Sequence, residues 1–282
     1  MFKNIIPKLN TLIFSSRVNI SDFAFERSYI DTNPLEVFIS LERYGVVILH
    51  NCIAEERVKR LKTNILNFLG RLNPDDEGRH EDYYVNHKQE KKLNYEEIMK
   101  LDKCFVNYRE EDKLKIDGGM IDLFRVEKIL DEEDQKLLSD IHQIYRPWLE
   151  NFTGKSFSHF NIYHNEGVEN TRGPHIDKAR DQFKCMIYLT DVPNKDYGPY
   201  SYVPKSHKKK ILLKISTLIQ RMIKRLINDS QYRYDDMPIA ENQLHSFLGK
   251  PGTIIISNQS GIHRGQPQKE GNLRIVLVDN YF

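Results

Sequence analysis

Apolar residues in the first half of the chain recur at the spacing of amphipathic helices. They fall three or four residues apart within residues 55–69 and again within residues 132–149, which predicts two helices. A further helix is expected to begin at Pro34, behind the potential N-cap Asn33, and to end at Gly45. The first half of the chain is therefore predicted to be mainly helical.

Two stretches of the first half do not follow a helical pattern. The four consecutive apolar residues Val46–Leu49 indicate a buried strand. Residues 71–116 are dense in charge and tyrosine, and their apolar positions have little periodicity. They are predicted to form loops with one short helix near Tyr95–Leu101. Together with the 197–230 region they are expected to frame a pocket. Tyrosines of both regions could contact a ligand there or could be ordinary packing residues: Tyr83, Tyr84, Tyr108, Tyr200 and Tyr202.

After Ser158 the chain changes to short apolar runs separated by turns. The runs read FNIYHN, KCMIYLTDV, YSYVP, TIIIS and LRIVLVDNYF, and turn signals such as Pro251-Gly252 lie between them. Helices first and short strands afterwards predict an α+β protein, in which helices cap an all-β sandwich or barrel.

A basic amphipathic helix is predicted within this β half, over residues 208–228. Lysines and arginines alternate there with apolar residues at helical spacing. The helix could pack on the sandwich, or it could serve as a lid or as a surface that meets anionic lipid or an anionic substrate. Five residues would form its apolar face: Leu212, Ile215, Ile219, Met222 and Leu226.

Composition narrows the class of protein. Hydrophobic residues at 39% and charged residues at 29% are ordinary for a globular protein. The formal net charge of +2 gives no overall field for nucleic acid, so no nucleic-acid partner is expected. Cys52, Cys104 and Cys185 are odd in number and lack CxxC spacing, which argues against a disulfide framework or a zinc site. This cysteine usage predicts a cytoplasmic setting.

The N-terminus leaves several interpretations open. Residues 1–17 are basic and free of acidic residues, but they lack the continuous apolar core and cleavage site of a secretory signal. No apolar run in the chain approaches the ~20 residues that span a bilayer. The segment could be an arm that packs on the domain, a transit peptide, or a short anchor that makes weak peripheral membrane contact, alone or with residues 208–228.

The chemistry suggested by the sequence begins with the segment Gly173-Pro174-His175-Ile176-Asp177. In an extended segment, His175 and Asp177 point to the same side. A later turn leads to His263. Two histidines and one carboxylate are the ligand set that suits non-haem Fe(II) with three open coordination positions. These positions can accept a bidentate 2-oxo acid and O₂, so we predict a catalytic iron site at these three residues.

Arg274 lies eleven residues beyond His263 in the strand-like run LRIVLVD. There it alternates with Leu273 and Ile275, so it shares a face with Val276. The far carboxylate of a bound 2-oxo acid would need a counter-ion in an apolar pocket, and a guanidinium can grip a carboxylate with two hydrogen bonds. The alternative, two purely structural histidines, leaves this arginine as a coincidence.

Several of these motifs together resemble the phytanoyl-CoA dioxygenase-like family of Fe(II)/2-oxoglutarate-dependent oxygenases. The resemblance runs from about Leu35 to the C-terminus. It rests on the GPHID ligand strand, the Gly198-Pro199…Pro204-Lys205-Ser206-His207 stretch and the spacing of His263 and Arg274. It implies one domain over residues 1–282 with a double-stranded β-helix (jelly-roll) core.

The resemblance also implies roles for residues. His175, Asp177 and His263 would bind Fe(II), Arg274 would bind 2-oxoglutarate, and Tyr163 would also contact this co-substrate. The implied activity is hydroxylation of an unactivated C–H bond in a small-molecule, carbohydrate or lipid-linked substrate. The long basic helix departs from the family pattern, so the substrate does not follow from the resemblance. A non-catalytic metal-binding jelly-roll module and a membrane-associated scaffold are the alternatives, and the oligomeric state stays open.

Overall fold

A computed structural model describes residues 8, 10–14, 18–73, 78–86, 97, 100, 102–109, 116–227, 237 and 239–282. The helices of this part of the chain are α1 Arg27–Thr32, α2 Pro34–Tyr44, α3 Glu55–Leu69, α4 Glu132–Thr153 and α5 Lys210–Ile227. The strands are β1 Ala24–Glu26, β2 Val46–His50, β3 Gly78–Arg79, β4 Tyr83–Asn86, β5 Cys104–Tyr108, β6 Ile121–Phe124, β7 Phe157–Glu166, β8 Phe183–Tyr188, β9 Tyr200–Tyr202, β10 His245–Ser246, β11 Ile254–Asn258, β12 His263–Gly265 and β13 Leu273–Tyr281.

The strands form two sheets. The larger has ten strands in the order β1-β2-β11-β8-β13-β7-β6-β5-β4-β3, and the smaller has the order β10-β9-β12. All pairs are antiparallel except β1 with β2 and β4 with β5. The predicted α+β class with a jelly-roll core is confirmed. The prediction of a single domain over residues 1–282 stays a prediction.

The centre of the large sheet explains the continuous apolar runs of the sequence. Ile254, Ile255 and Ile256 of β11 are fully buried, and β13 is buried along nearly all of its length. A strand covered on both faces carries apolar residues at consecutive positions, whereas a half-buried strand alternates. The buried large sheet therefore forms one fixed wall of the space between the two sheets.

The helices begin and end close to their predicted bounds. The helix from Pro34 ends before Gly45, whose φ of +80° is the left-handed conformation that ends many helices. The predicted side-chain cap is wrong, because the Asn33 side-chain oxygen accepts no N–H of the helix and its amide donates to the Thr32 hydroxyl. Helix α4 runs on to Thr153, four residues further than predicted, and ends at Gly154.

The region of residues 71–116 is where the sequence interpretation was wrong. Strands β4 and β5 lie there and extend the large sheet beyond β7 through β6. Val85, Cys104 and Val106 are fully or almost fully buried, so these short strands do carry core residues. Their apolar signal is only a few residues long and lies between charged segments, which hid it. The helix predicted near Tyr95–Leu101 falls mostly outside the described residues, although Glu97 and Lys100 are helical.

The predicted basic helix is present as α5, but most of its apolar face is not packed against the protein. It follows the 3₁₀ turn Ser206–Lys209, and Leu213 and Ser216 form its buried side. The apolar face named from the sequence points to solvent at Leu212, Ile215, Ile219 and Met222. The side chain of Leu226 lies outside the described set.

The described part of the N-terminus packs against this helix. Phe14 is fully buried, and the Ser216 hydroxyl donates to the Asn10 side-chain oxygen at 2.6 Å. The packed-arm interpretation is thus supported for residues 10–14, whereas residues 1–7 and 15–17 lie outside the described residues. None of the described helices is long and apolar enough to cross a bilayer. Cys52, Cys104 and Cys185 are all unpaired.

Candidate active site

Three side chains predicted to bind iron lie together at one end of the space between the sheets. Ligand atoms of His175, Asp177 and His263 are all within 4.8 Å of one another. The Nε2 atoms of His175 and His263 are each 3.6 Å from Oδ1 of Asp177. Of the titratable groups in the described part of the chain, this is the cluster that could share one metal ion.

Backbone hydrogen bonds bring the two distant segments of the cluster together. The amide of His175 donates to the carbonyl of His263 at 2.9 Å, and the amide of His263 donates back at 2.9 Å. The amide of Asp177 donates to the Gln259 carbonyl at 3.1 Å. The HxD segment is therefore an added strand fragment beside β12, and its register sets where the three ligands meet.

The orientation of both imidazoles suits metal binding. Nδ1 of His175 is 2.8 Å from the Gly173 carbonyl oxygen, and Nδ1 of His263 is 2.9 Å from the Gly261 carbonyl oxygen. A carbonyl only accepts, so each Nδ1 carries the proton and each Nε2 keeps its lone pair. Burial, together with the neighbouring His263, lowers the pKa of His175 to about 4, which keeps this ring neutral near pH 7.

Gly261 is required beside the second histidine. A Cβ built on it would collide with the hydroxyl of Tyr202. Tyr202 is fully buried and donates to the Asn258 carbonyl at 2.9 Å, so its ring has no room to move. The turn before His263 can approach the small sheet this closely only with glycine at this position.

Lys184 balances the charge of the aspartate. Its ammonium is 2.8 Å from Oδ2 of Asp177, so Oδ1 is left facing the two histidines. Burial alone would raise the pKa of Asp177, but the ammonium of Lys184 holds it well below its usual range. Burial alone would lower the pKa of Lys184, and Asp177 raises it. The carboxylate is therefore ionised and oriented.

The cluster faces a cavity of about 210 Å³ between the two sheets. Strands β7, β8 and β13 of the large sheet form one wall, and β9 and β12 of the small sheet form the other. Apolar atoms of Met120, Met186 and Val276 alternate with polar groups on these walls. The cavity is large enough for a small organic acid beside a metal ion.

Arg274 lies in the same cavity, on the wall formed by β13. Its side chain is 6% exposed, and Val276 lines the cavity beside it, as the strand alternation predicts. With the Asn165 amide turned to satisfy both groups, its oxygen accepts from Nη2 of Arg274 at 2.5 Å. Nε of Arg274 has no hydrogen-bond partner. Burial lowers the pKa of this guanidinium, as expected for a desolvated cation.

The other cavity cations that carry ion pairs make the contrast clear. Arg109 contacts two carboxylates, Asp122 at 2.7 Å and Asp117 at 3.1 Å, and Lys184 contacts Asp177. No carboxylate of the described residues forms an ion pair with Arg274. A buried guanidinium without a counter-ion is costly, so this position is suited to an anionic ligand.

Gly265 leaves the space that the Arg274 guanidinium occupies. A Cβ at this glycine would lie 3.3 Å from Nη2 of Arg274, which is tighter than ordinary packing. Gly265 ends strand β12, two residues after His263, and lines the cavity. The same short strand therefore carries a candidate ligand and makes room for the candidate anion site.

The remaining predicted cavity residues divide into two groups. Tyr163 lines the cavity on β7, and Tyr200 lines it on β9, where its hydroxyl is 3.0 Å from that of Ser257. Tyr202 is fully buried in the core, and Tyr83, Tyr84 and Tyr108 do not line the cavity. Those four tyrosines therefore have packing roles, the alternative that the sequence left open.

Sequence reasoning missed Lys184, although the signal was present. In the strand FKCMIY, Lys184 shares one face with Met186 and Tyr188, and all three line the cavity. A charged residue on the inward face of a buried strand is the same kind of signal that identified Arg274. Arg109 was missed for a different reason, because residues 71–116 were predicted to form loops with one short helix. Asp117 follows that region directly and was not singled out.

The donor atoms of the cluster are those of a metal site with open coordination positions. Two neutral Nε2 atoms and one carboxylate oxygen on one side of a shared point match the 2-His-1-carboxylate set, which leaves coordination positions open. The backbone carbonyls behind the histidines and the lysine behind the aspartate are the outer partners that such ligands use. The residues therefore fit a divalent first-row metal.

Comparisons with solved structures agree with the fold. EvdO2 from Micromonospora carbonacea var. aurantiaca is similar at 13% identity and a TM-score of 0.55, over 95% of this chain and 91% of that one. HygX from Streptomyces hygroscopicus, with nickel and 2-oxoglutarate bound, is similar at 10% identity and a TM-score of 0.52, over 86% and 85%. The epimerase SnoN, in complex with Fe³⁺, alpha ketoglutarate and nogalamycin RO, is similar at 14% identity and 0.51, over 86% and 80%.

The family assignment rests on sequence. A comparison with curated proteins found no significant match. The family model described as Phytanoyl-CoA dioxygenase (PhyH) matches residues 41–275, a span that contains the three clustered ligand candidates and Arg274. This match covers most of the chain and agrees with the motifs from which the resemblance was argued. The chain belongs to the phytanoyl-CoA dioxygenase (PhyH) family.

Proposed function

We propose that this protein is an Fe(II)- and 2-oxoglutarate-dependent dioxygenase that hydroxylates a C–H bond of a small organic substrate. In the overall reaction, substrate, O₂ and 2-oxoglutarate give hydroxylated substrate, succinate and CO₂. The observation that carries the proposal is the sharing of one cavity by two features. These are the cluster of His175, Asp177 and His263, and the buried cation Arg274, which lacks a counter-ion.

His175, Asp177 and His263 would hold the iron through Nε2, Oδ1 and Nε2. Bound iron would supply the oxidising power for attack on an unactivated C–H bond. The chain supplies orientation: carbonyls behind both imidazoles fix the rings, and Lys184 holds the carboxylate so that one oxygen faces them. Because Asp177 provides a carboxylate ligand, no position is left for a halide, which favours hydroxylation over halogenation.

Arg274 would bind the far carboxylate of 2-oxoglutarate. A charge-assisted pair with two parallel hydrogen bonds is among the strongest polar contacts available to a side chain. The Asn165 oxygen, which accepts from Nη2, restricts how the fork can turn, and Nε is left without a hydrogen-bond partner. Tyr163 on the adjacent strand would contact the same co-substrate, as the family resemblance implies. Apolar walls formed by Met120, Met186 and Val276 would exclude water around it.

The proposed substrate belongs to a broad class of small molecules. SnoN binds nogalamycin RO, a small organic molecule, and we propose a small-molecule, carbohydrate or lipid-linked substrate here. The volume of about 210 Å³ is smaller than many ligand pockets, so the substrate would enter with the reacting carbon first while the rest lies outside.

The proposal is tested by succinate formation. Purified protein is supplied with Fe(II), 2-oxoglutarate and O₂, and panels of acyl-CoAs, sugars and amino acids are screened for substrates that raise succinate release. We expect at least one class to raise it, and Asp177→Ala to abolish it. If the metal-loaded protein binds 2-oxoglutarate but never releases succinate with any panel, the non-catalytic binding module becomes the better account.

A further inference from the structure

Helix α5 presents an apolar stripe to solvent. Ile211 is 74% exposed and Met222 is 64% exposed, and the residues between them on the same face are also open. At 100° per residue around the helix axis, the stripe is about 120° wide. Apolar faces of this width on amphipathic helices are normally covered by a partner. Its members are Ile211, Leu212, Ile215, Leu218, Ile219 and Met222.

The orientation of the helix is fixed by contacts on its other side. Leu213 is buried with Phe14 and Ile262, and Ser216 is bonded to Asn10. Ion pairs of Lys208 with Glu42 at 2.9 Å and of Lys210 with Asp181 at 2.7 Å hold the 3₁₀ turn before the helix and the first residue of the helix. Rotation to bury the stripe would break these contacts, so the stripe faces outward in the folded protein.

Charge around the stripe is of one sign. Residues 208–227 contain seven lysines and arginines and no acidic residue, whereas the rest of the chain contains 35 basic and 40 acidic residues. Exposed Lys214 follows Ile211 by three positions and precedes Leu218 by four, so it is on the edge of the stripe. Lys208 and Lys210 are ion-paired, and exposed Lys214 borders the stripe on a segment that carries no acidic residue.

We propose that α5 docks this protein on anionic lipid bilayers. An apolar stripe bordered by basic residues lies in the headgroup region of a membrane, with apolar side chains inserted and cations against lipid phosphates and carboxylates. A second copy of the chain is a poorer occupant. A two-fold interface would place the same basic helix against itself, and like charges there oppose association.

Docking through α5 would bring the end of the protein that carries the ligand cluster close to the membrane. The buried side of α5 shares its apolar cluster with Ile262 and Ile176, which are chain neighbours of His263, His175 and Asp177. The surface therefore belongs to the end of the fold that carries the ligand cluster. This inference goes beyond the proposed oxygenase activity and does not depend on it.

The test is sedimentation of the full chain with vesicles, without iron or co-substrate. We expect pelleting with phosphatidylcholine vesicles that contain about 30% phosphatidylserine, weaker pelleting with pure phosphatidylcholine, and loss of binding at high salt. The double variant Ile211→Glu/Ile215→Glu should weaken binding about tenfold or more, because it places two charges in the stripe. Lys214→Glu should weaken it by about fivefold.

A matched control exists on another helix. Leu35 and Ile39 on α2 are also exposed, at 57% and 40%, and also four residues apart. Leu35→Glu/Ile39→Glu should leave vesicle binding unchanged. The proposal is overturned if the wild-type chain does not pellet with anionic vesicles, or if both double variants lower binding equally. It is also overturned if light scattering shows a dimer that only the α5 variant dissociates, without lipid binding. Succinate assays on the same variants test the proposed function separately.

Discussion

The two ends of the cavity differ in how their charges are satisfied. At the ligand-cluster end, Asp177 is paired with Lys184, and each imidazole has a backbone carbonyl behind it. At the other end, Arg274 is buried with an amide oxygen beside it and no carboxylate of the described residues paired to it. The charges of Asp177 and Lys184 are thus paired within the chain, whereas the charge of Arg274 is not paired with a carboxylate of the described residues.

This difference indicates which way a ligand would lie. A metal ion would bring positive charge to the Asp177 carboxylate and the two Nε2 lone pairs of His175 and His263. The carboxylate of a ligand would bring negative charge to Arg274. A molecule with a chelating 2-oxo acid at one end and a carboxylate at the other satisfies both ends at once. The asymmetry of charge thus defines the co-substrate better than the shape of the cavity does.

The largest effect is expected at the cluster itself. Asp177→Ala removes one of three candidate ligands and should weaken Ni²⁺ binding by more than about 100-fold, measured by calorimetry. It also leaves Lys184 without its partner, which should cost about 1–3 kcal/mol of unfolding free energy. Circular dichroism and thermal unfolding check that the variant folds. Unchanged metal affinity in a folded variant would remove Asp177 from the ligand set.

At the opposite end, Arg274→Met should weaken 2-oxoglutarate binding by about 30-fold or more, because a buried charged contact is lost. Metal affinity should be unchanged, since this residue is not in the cluster. Arg264→Ala provides a control next to the cavity glycine Gly265, because the Arg264 guanidinium pairs with exposed Glu241 at 3.2 Å. That variant should change the affinity less than about threefold.

Lys184→Met sharpens the comparison through stability. Asp177 would lose its counter-ion, so metal affinity should fall about tenfold and the unfolding free energy should fall by about 1–3 kcal/mol. Arg274→Met, by contrast, removes a desolvated cation without a counter-ion and should leave the unfolding free energy unchanged or raise it. Urea denaturation of both variants measures the difference. A larger loss for Arg274→Met would reverse the description of the two ends.

The smallest effect is expected at Gly265. An alanine there would place Cβ 3.3 Å from Nη2 of Arg274, and the guanidinium must shift by a few tenths of an ångström. We expect 2-oxoglutarate affinity to fall about threefold, with metal affinity and unfolding temperature nearly unchanged. An equal loss of metal affinity would mean that the change acts on His263 through the strand, not on Arg274.

Much of the fold and of the cluster could be predicted from local pattern. The spacing in GPHID puts two side chains on one side of an extended segment, and strand alternation turns Arg274 inward; both are properties of a few neighbouring residues. The helix over residues 55–69 was predicted to the residue, because its apolar stripe is long and regular. Such features need no knowledge of distant partners.

Features that depend on distant partners were missed. Strands β4 and β5 are stabilised by pairing with each other and by β6, and a few apolar residues between charged segments do not reveal this. Trp148 is one of the apolar positions of α4 but is 45% exposed, whereas His142 of the same helix is buried. For α5 the sequence left the orientation of the apolar face open, and the contacts of Leu213 and Ser216 turn this face outward. A helical pattern shows that a face is apolar, but the tertiary contacts decide which way it points.

The central claim is that Arg274 is the counter-ion for the far carboxylate of a 2-oxo acid bound at the cluster. The most direct measurement compares 2-oxoglutarate with 2-oxopentanoate, which has the same chain length without the far carboxylate, by calorimetry on the Ni²⁺-loaded wild-type protein. We expect the dicarboxylate to bind about 30-fold more tightly or better, and Arg274→Met to remove most of this preference. Equal binding of the two acids by the wild-type protein would contradict the account.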